Sequence, residues 1–323
     1  MKITNKDLVQ SYILTSAKYD YSVYEKRILY RIIEQLQDHL AGKKLNSEYT
    51  INRTIFDDLD FTMPISAFLK DEKDENHNRI KTALNSLYDK KIEYEDKDSW
   101  QAYTLIERPY IGKRGEYVSF RISPFIAKAF LNFTKGYSKY ELATAMKFDS
   151  IYSMRFYELL SNQKRPITYS IKKLKIMFQI ENKYKKNNDF FKRVIEPAKR
   201  ELDKISPYTF EYSPIKTGLE ITSIKFFPIY QPEHRDSNLQ SKDLEKKTSL
   251  SWDLETIIIN YLKETYIFSD EEIKNNRKLF IQAQDSTKFD LLIFLSENKI
   301  QAAKKANPKG WIIGAIKKQL NQS

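Results

Sequence analysis

The stretch FFKRVIEPAKRELDKI, residues 190–205, carries more structural information than any other part of this chain. Val194, Ala198 and Leu202 recur at helical spacing and should face a core. Cations occupy the opposite side, which predicts an amphipathic helix with a basic outer surface. Pro197 lies in the middle and lacks a backbone N–H, so we expect a kink or a new helical start there.

The segments before this helix favour a strand, a capped helix and a basic turn. Residues 167–169 (ITY) are β-rich, and Ser170 can cap the helix that follows them. Lys185 and Lys186 lie in the basic turn. Asp189 comes directly after this turn and is a plausible N-cap for the basic helix.

A β-hairpin is predicted behind the basic helix. Residues 208–212 and 219–227 are rich in aromatic and β-branched side chains, and they should pair around a turn at 214–218. Lys216 would then lie at the hairpin tip. Helix, strand, basic helix and hairpin in this order are the parts of a winged helix.

The same order of elements occurs earlier in the chain. Ser22 and Glu25 have capping-box spacing and open a helix with an apolar stripe, as Ser150 does before the second module. YTI at 49–51 corresponds to YSI at 169–171. We therefore predict an α+β fold with two tandem winged-helix domains, related by pseudo-symmetry as diverged duplicates, and a small C-terminal all-α unit.

The first module contains a helix, predicted from Asn78 onward, that is a candidate for contact with DNA. Ile80 and Leu84 belong to its apolar face, and polar side chains point the other way. Short donors and acceptors together with a cation suit base edges and phosphates, although an ordinary solvated helix face shows the same pattern. The following hairpin favours DNA binding, because Val118 and Phe120 alternate inward as in a strand behind a basic tip at 112–115.

Composition points to a polyanionic partner. The 323 residues carry a net charge of +12, and cations that neutralise phosphates gain affinity from released counterions. An AT-rich genome would also enrich lysine, asparagine and isoleucine, which weakens this argument. Because no stretch has about 18 successive apolar residues and the first residues lack a secretion signal, we expect a cytoplasmic bacterial protein, associated with nucleoid or plasmid, with no membrane partner.

The sequence shows no motif for catalysis. It has no cysteine, and His39, His77 and His234 are far apart in polar surroundings, so neither a metal site nor a histidine base is indicated. A rolling-circle nickase would need a tyrosine near two histidines separated by one residue, and no such pair occurs. The seven glycines form no phosphate-binding loop. We therefore expect no cofactor, no metal and no enzymatic activity.

Residues 15–230 resemble a known family, the replication initiators of iteron-containing bacterial plasmids. The residues that carry the resemblance are SVYEKR at 22–27 and FKRVIEPAKREL at 191–202. It implies that the helix from Phe190 enters a major groove of repeated origin DNA, and that the helix from Asn78 reads an adjacent groove. It also implies a dimer, joined through the first module, that represses its own promoter, and a monomer that uses both modules on the origin repeats.

The expected DNA contacts come from both reading helices, the basic turn and the two hairpin tips. Polar and cationic side chains on such elements suit phosphates and base edges. The expected DNA-binding residues are Asn78, Arg79, Lys81, Thr82, Asn85, Lys113, Arg114, Lys185, Lys186, Lys192, Arg193, Glu196, Lys199, Arg200 and Lys216.

Four segments are expected along the chain. They are a first winged helix at 1–140 for dimerisation and DNA contact, a second at 141–230 for the main DNA recognition, a linker at 231–248 and a helical unit at 249–323. The helical unit would either pack on itself or on the second module, or form a docking surface for a host helicase or a second initiator, with Trp311 as anchor.

Together these observations predict a plasmid replication initiator that binds origin repeats in double-stranded DNA, promotes origin opening and recruits host replication proteins, namely the replicative helicase and chaperones. A winged-helix transcriptional regulator without initiation activity is one alternative. A DNA nickase or primase with an unrecognised site is an alternative of another class. An array of direct repeats beside the coding region would favour the initiator, and a single promoter palindrome would favour the regulator.

Overall fold

The computed structural model describes residues 5–11, 14–15, 19–40, 45, 48–71, 74, 76–95, 100–112, 116–133, 136–248 and 254–321. Within these ranges the chain builds three large apolar cores in succession, which we call the first, second and third core. No helix in the described part of the chain is long and apolar enough to cross a membrane.

The first module begins with strand β1 (Asp7–Ser11) and the capped helix α1 (Val23–Leu40). The Ser22 hydroxyl accepts a hydrogen bond from the Glu25 N–H at 3.3 Å, and the Ser22 N–H donates to the Glu25 carboxylate at 2.6 Å. This pair satisfies two donors that the start of a helix otherwise leaves unpaired. The capping box predicted from the sequence is therefore confirmed.

A four-stranded antiparallel sheet and helix α2 (His77–Asp89) form the rest of the first core. The strand order is β2-β3-β7-β6. Val118 and Phe120 are at most 2% exposed, as their alternation in the sequence predicts. The remaining elements of this module are β2 (Thr50–Arg53), β3 (Leu59–Pro64), β4 (Lys91–Glu95), β5 (Trp100–Thr104), β6 (Glu107–Ile111), β7 (Tyr117–Ile122) and α3 (Pro124–Phe130).

The N-terminal strand pairs with a strand far along the chain. Strand β1 lies antiparallel to β8 (Tyr137–Glu141), and Asp7 is opposite Glu141. Helix α4 (Leu142–Lys147) begins directly after this strand. Hydrogen bonding to β1 keeps the preceding residues extended, and this contact between distant segments has no local signal in the sequence.

The second module places a three-stranded sheet, in the order β10-β11-β9, against helices around the second core. Its elements are α5 (Ile151–Leu160), β9 (Ile167–Ser170), α6 (Ile171–Met177), β10 (Tyr208–Thr217) and β11 (Glu220–Tyr230). Ser150 and Ser170 cap their helices as predicted. The turn of the hairpin is shorter than predicted, because only Gly218 and Leu219 separate the two strands, and Lys216 lies in β10 beside a β-bulge.

The basic helix of this module begins earlier than the sequence suggests. It runs as α7 (Asn187–Phe190), a π-helical turn over residues 191–195 and α8 (Glu196–Ile205). Asp189 is not its N-cap, because the helix has already started at Asn187 and the carboxylate lies in the first turn. The π-helical turn directly precedes Pro197, which lacks the N–H and would clash with a carbonyl one turn back. The irregularity expected at this proline is therefore present, as a π-helical turn within one continuous helix.

Helix α1 lies between the first and second cores. Ile28 is buried in the first core and Tyr30 in the second. The Lys26 ammonium lies 2.5 Å from the carboxylate of Glu158 on α5, and these side chains are 3% and 0% exposed. The Tyr30 hydroxyl donates to the same carboxylate at 2.6 Å. Burial lowers the pKa of Lys26 while the adjacent Glu158 charge acts in the opposite direction.

Arg27 adds a second connection at the same place. Its guanidinium donates to the backbone carbonyls of Met146 at 3.0 Å and Phe148 at 3.2 Å, at the C-terminal end of α4. It also donates to Asp74 at 3.4 Å, before α2. Lys26 and Arg27 therefore fix how the first module meets the second.

The segment 231–248, predicted as a linker, contains regular structure. A 3₁₀ turn spans Pro232–His234, and helix α9 spans Ser237–Thr248. Between them Arg235 forms ion pairs with Asp7 at 2.8 Å and Glu141 at 2.7 Å. The chain thus returns from the second module to the β1–β8 pair before the C-terminal helices begin.

Five C-terminal helices pack around the third core. They are α10 (Thr256–Tyr266), α11 (Asp270–Asn275), α12 (Arg277–Gln284), α13 (Leu291–Ala303) and α14 (Pro308–Asn321). The bundle packs on itself, and a smaller cluster that contains Leu292, Val9 and Phe133 joins it to the first module. Trp311 is half-buried against the third core.

Candidate nucleic-acid interface

The outer face of the basic helix (residues 187–205) presents cations to solvent. Lys192, Arg193 and Arg200 are exposed, while Val194 and Ala198 are fully buried in the second core. Within the described part of the chain these three cations form no ion pair. They can therefore contact phosphates or base edges without first breaking an interaction inside the protein.

Two of the predicted contact residues are occupied within the chain. Lys199 is half-buried and its ammonium lies 2.9 Å from Asp203 and 3.0 Å from Glu211 on β10. These two carboxylates raise the pKa of Lys199 in spite of its desolvation. Glu196 accepts a hydrogen bond from the Tyr212 hydroxyl. Both side chains connect the basic helix to the hairpin, so any contact that they make with DNA must compete with these partners.

The hairpin β10–β11, which we call the second wing, is attached to the start of the basic helix. The Asn187 side-chain amide donates to the Ile221 carbonyl at 2.8 Å, and the rings of Phe191 and Tyr212 stack with centroids 5.6 Å apart. Lys216 is exposed near the far end of the wing, and Lys185 and Lys186 are exposed in the turn before the helix. Helix and wing thus form one basic unit.

In the first module, helix α2 and strand β6 form the walls of a cleft of about 390 Å³. Asn78, Lys81 and Asn85 line it together with Gly112. Lys113 and Arg114, predicted at that tip, lie outside the described residues. Three of the predicted side chains on α2 therefore converge on one surface.

Arg79 and Thr82 lie on another side of α2. They line a cleft of about 910 Å³ that also contains Asp71 and Asp74. The Arg79 guanidinium lies 5.8 Å from the centre of the Tyr24 ring. With Glu25 and Asp149 the cleft is lined by four carboxylates, against three cations, so it is less attractive to phosphate than the cleft at Lys81. The predicted DNA face of α2 is therefore divided.

Sequence reasoning did not single out several exposed cations of the second module. Lys172 and Lys173 lie at the start of α6, after the Ser170 cap, and Lys225 lies on β11 opposite Ser213. The signal was present in each case. Ile171 and Leu174 are the buried positions of α6, which leaves the two lysines outside, and the alternation of β11 does the same for Lys225.

Family models match both modules. Residues 7–161 match the model described as Initiator Replication protein, WH1, and residues 170–227 match Initiator Rep protein, WH2. Together the two matches cover about two thirds of the chain. The chain belongs to this family of replication initiators. The family expected from the sequence and its fold, two winged helices in tandem, are thereby confirmed, and DNA-dependent initiation of replication is its function class.

A solved structure supports the fold of this initiator. The crystal structure of Pi initiator protein in complex with iteron DNA aligns with a TM-score of 0.54, covering 70% of this chain and 97% of that chain. The sequences are 16% identical, so the likeness concerns the fold. The domain limits predicted at 140 and 230 stay predictions, because helix α5 belongs to the first family match but packs in the second core.

Proposed function

We propose that this initiator binds direct repeats in the origin of its own plasmid, with the basic helix in a major groove and α2 in an adjacent groove. The observation that carries the proposal is the basic unit of the second module, in which exposed Lys192, Arg193 and Arg200 lie on a helix fixed to a wing. The solved Pi initiator protein, which shares the fold, was crystallised in complex with iteron DNA. We place the action of the present initiator in the cytoplasm, where it is bound to its plasmid.

Footprinting tests this proposal directly. The full chain is titrated on the DNA that flanks its own coding region and on a scrambled duplex, at several salt concentrations. We expect protection of repeated sites, a preference of roughly a thousandfold over scrambled DNA, and a steep decrease of affinity with salt. Equal affinity for both DNAs would contradict the proposal, and protection of one promoter palindrome alone would favour the transcriptional regulator.

A dimer that represses the initiator's own promoter is the second part of the proposal. The turn between β2 and β3 exposes Ile55 by 93% and Phe56 by 75%, and β2 lies at the edge of its sheet. Exposed apolar side chains beside a free strand edge suit contact with a second copy. The measured masses of the protein–DNA complexes should correspond to a dimer on the operator and to one protomer per repeat at the origin. Phe56→Asp should abolish the operator dimer and leave the origin complex intact.

Recruitment of the host replicative helicase and chaperones is the third part. The C-terminal bundle has its own core, and Ile267 and Ile300 are more than 60% exposed on it. Such a bundle can bind a partner while the winged helices hold DNA. Mixing the DNA-bound initiator with purified host helicase should give a larger complex, and Ile300→Asp should weaken it without changing DNA affinity.

A further inference from the structure

The tip of the second wing combines cations with a fully exposed apolar side chain. Gly218 and Leu219 form its two-residue loop, and Gly218 has a φ of +65°, as hairpins with glycine at the first loop position require. Leu219 is 99% exposed, the highest value among the large apolar side chains that the structure describes. Among the described residues, no packing contact explains a leucine at this position.

The wing holds Leu219 in a fixed relation to the basic helix. Asn187, the first residue of that helix, is bonded to the Ile221 carbonyl at 2.8 Å, only two residues from the leucine. The hydroxyls of Thr217 and Thr222 lie 2.9 Å apart across the hairpin, just below the loop. A helix that enters a major groove would therefore bring the tip to the neighbouring minor groove at a constant offset.

The charges around the tip favour DNA over an apolar protein surface. Lys216 and Lys225 are exposed on the same hairpin, and Lys185 and Lys186 are exposed at the start of the basic helix. These cations match the phosphates on either side of a groove. Glu220 lies beside Leu219 and is also exposed, so its charge should weaken the approach of phosphate without affecting an apolar contact.

We propose that Leu219 is a wedge that inserts between base pairs from the minor groove and unstacks them. Apolar side chains placed in this way open a base step and kink the duplex. The wedge rests on the proposed binding of origin DNA, and it supplies a physical cause for the distortion that precedes opening. Pyrimidine–purine steps such as TA kink and unstack easily, which makes them the expected point of insertion.

Permanganate oxidation of thymines tests the wedge, because unstacked thymines react and stacked ones do not. The DNA is the duplex protected in the footprint, and the proteins are the full-length wild type, Leu219→Ala, Leu219→Met and Glu220→Gln. The wild type should make thymines beside the protected site reactive. Leu219→Ala should return them to the level of free DNA while affinity changes by about tenfold or less, because the apolar contact is offset by the unstacking cost.

The two other variants are matched controls. Leu219→Met keeps a flexible apolar side chain and should retain thymine reactivity, and Glu220→Gln should tighten binding while leaving the reactivity pattern unchanged. Binding without reactive thymines, or equal reactivity with Leu219→Ala, would overturn the wedge alone. If Leu219→Ala weakened binding to a protein partner and left thymine reactivity unchanged, the tip would be a protein-docking site and the wedge would again be overturned. Failure of the wild type to select any site would overturn the proposed function.

Discussion

In residues 22–27 the cations Lys26 and Arg27 are 2% exposed, whereas Lys192 and Arg193 of the basic helix face solvent. Both segments carry the family resemblance, and both look basic in the sequence. The first uses its cations to join two modules inside the protein, and the second presents them outward. A basic sequence alone therefore does not indicate a DNA contact, because its cations can be paired with acidic residues elsewhere in the chain.

The largest effect is expected at the buried joint. Glu158→Gln leaves the Lys26 ammonium buried without its anion, and it should lower the free energy of unfolding by about 3–5 kcal/mol. Adding Lys26→Met should recover part of this loss, because it removes the unpaired ammonium and leaves Arg155 as the buried cation beside this position. Urea unfolding followed by circular dichroism measures both variants. A loss below about 1 kcal/mol for Glu158→Gln would mean that solvent reaches the pair.

The basic helix should show the reverse behaviour. Arg193→Glu or Arg200→Glu should weaken binding to the protected site at least about tenfold, since one good base contact is worth ~1–3 kcal/mol. Stability should hardly change, because both side chains are exposed. The control is Lys317→Glu on α14, which should change neither property. Equal losses of affinity from all three variants would contradict the placement of the basic helix on DNA.

A smaller effect on DNA affinity is expected at Lys172, an exposed residue at the start of α6 that was not predicted from the sequence. Lys172→Ala should weaken binding to all DNA sequences alike and lower the salt dependence of log affinity by about 1, as the loss of one phosphate contact does. Binding titrations at four salt concentrations measure this slope. An unchanged slope would place α6 away from the phosphates.

The smallest effect on DNA binding is expected at Lys199. Its ammonium is shared between Asp203 and Glu211, so Lys199→Gln should leave the salt dependence unchanged and reduce the free energy of unfolding by about 1 kcal/mol or less. A drop in salt dependence equal to that of Lys172→Ala would show that DNA displaces the two carboxylates.

Local patterns predicted the fold well. The capping box at Ser22, the inward alternation of β7 and the helical irregularity near Pro197 depend on residues close together in the sequence, and the structure contains each of them. The predicted start of the basic helix was too late, because the true start depends on the turn before Asn187. Strand β8 was not predicted, because it depends on pairing with β1. Boundaries of this kind are set by contacts between segments that the sequence keeps apart.

The candidate site was predictable in its elements and less so in its residues. Periodicity placed Lys192, Arg193 and Arg200 outside, but it placed Lys199 there too, because the ion pair with Glu211 forms only when β10 folds back. The sequence likewise could not predict that the polar face of α2 lines two clefts, one basic and one acidic, because the other walls of these clefts come from distant segments. The Leu219 tip was hidden because the turn was expected earlier, at residues 214–218.

The pairing of β1 with β8 also affects how this protein is made on the ribosome. Asp7 leaves the exit tunnel before its partner Glu141, which follows about 130 residues later, and before the clamping Arg235, which follows later still. At about 5–20 residues per second, the strand waits on the order of 10 s before it can pair. During this interval its backbone donors are open to neighbouring chains. Slower translation would lengthen that exposure, and chaperone binding to the nascent N-terminal strand would protect it.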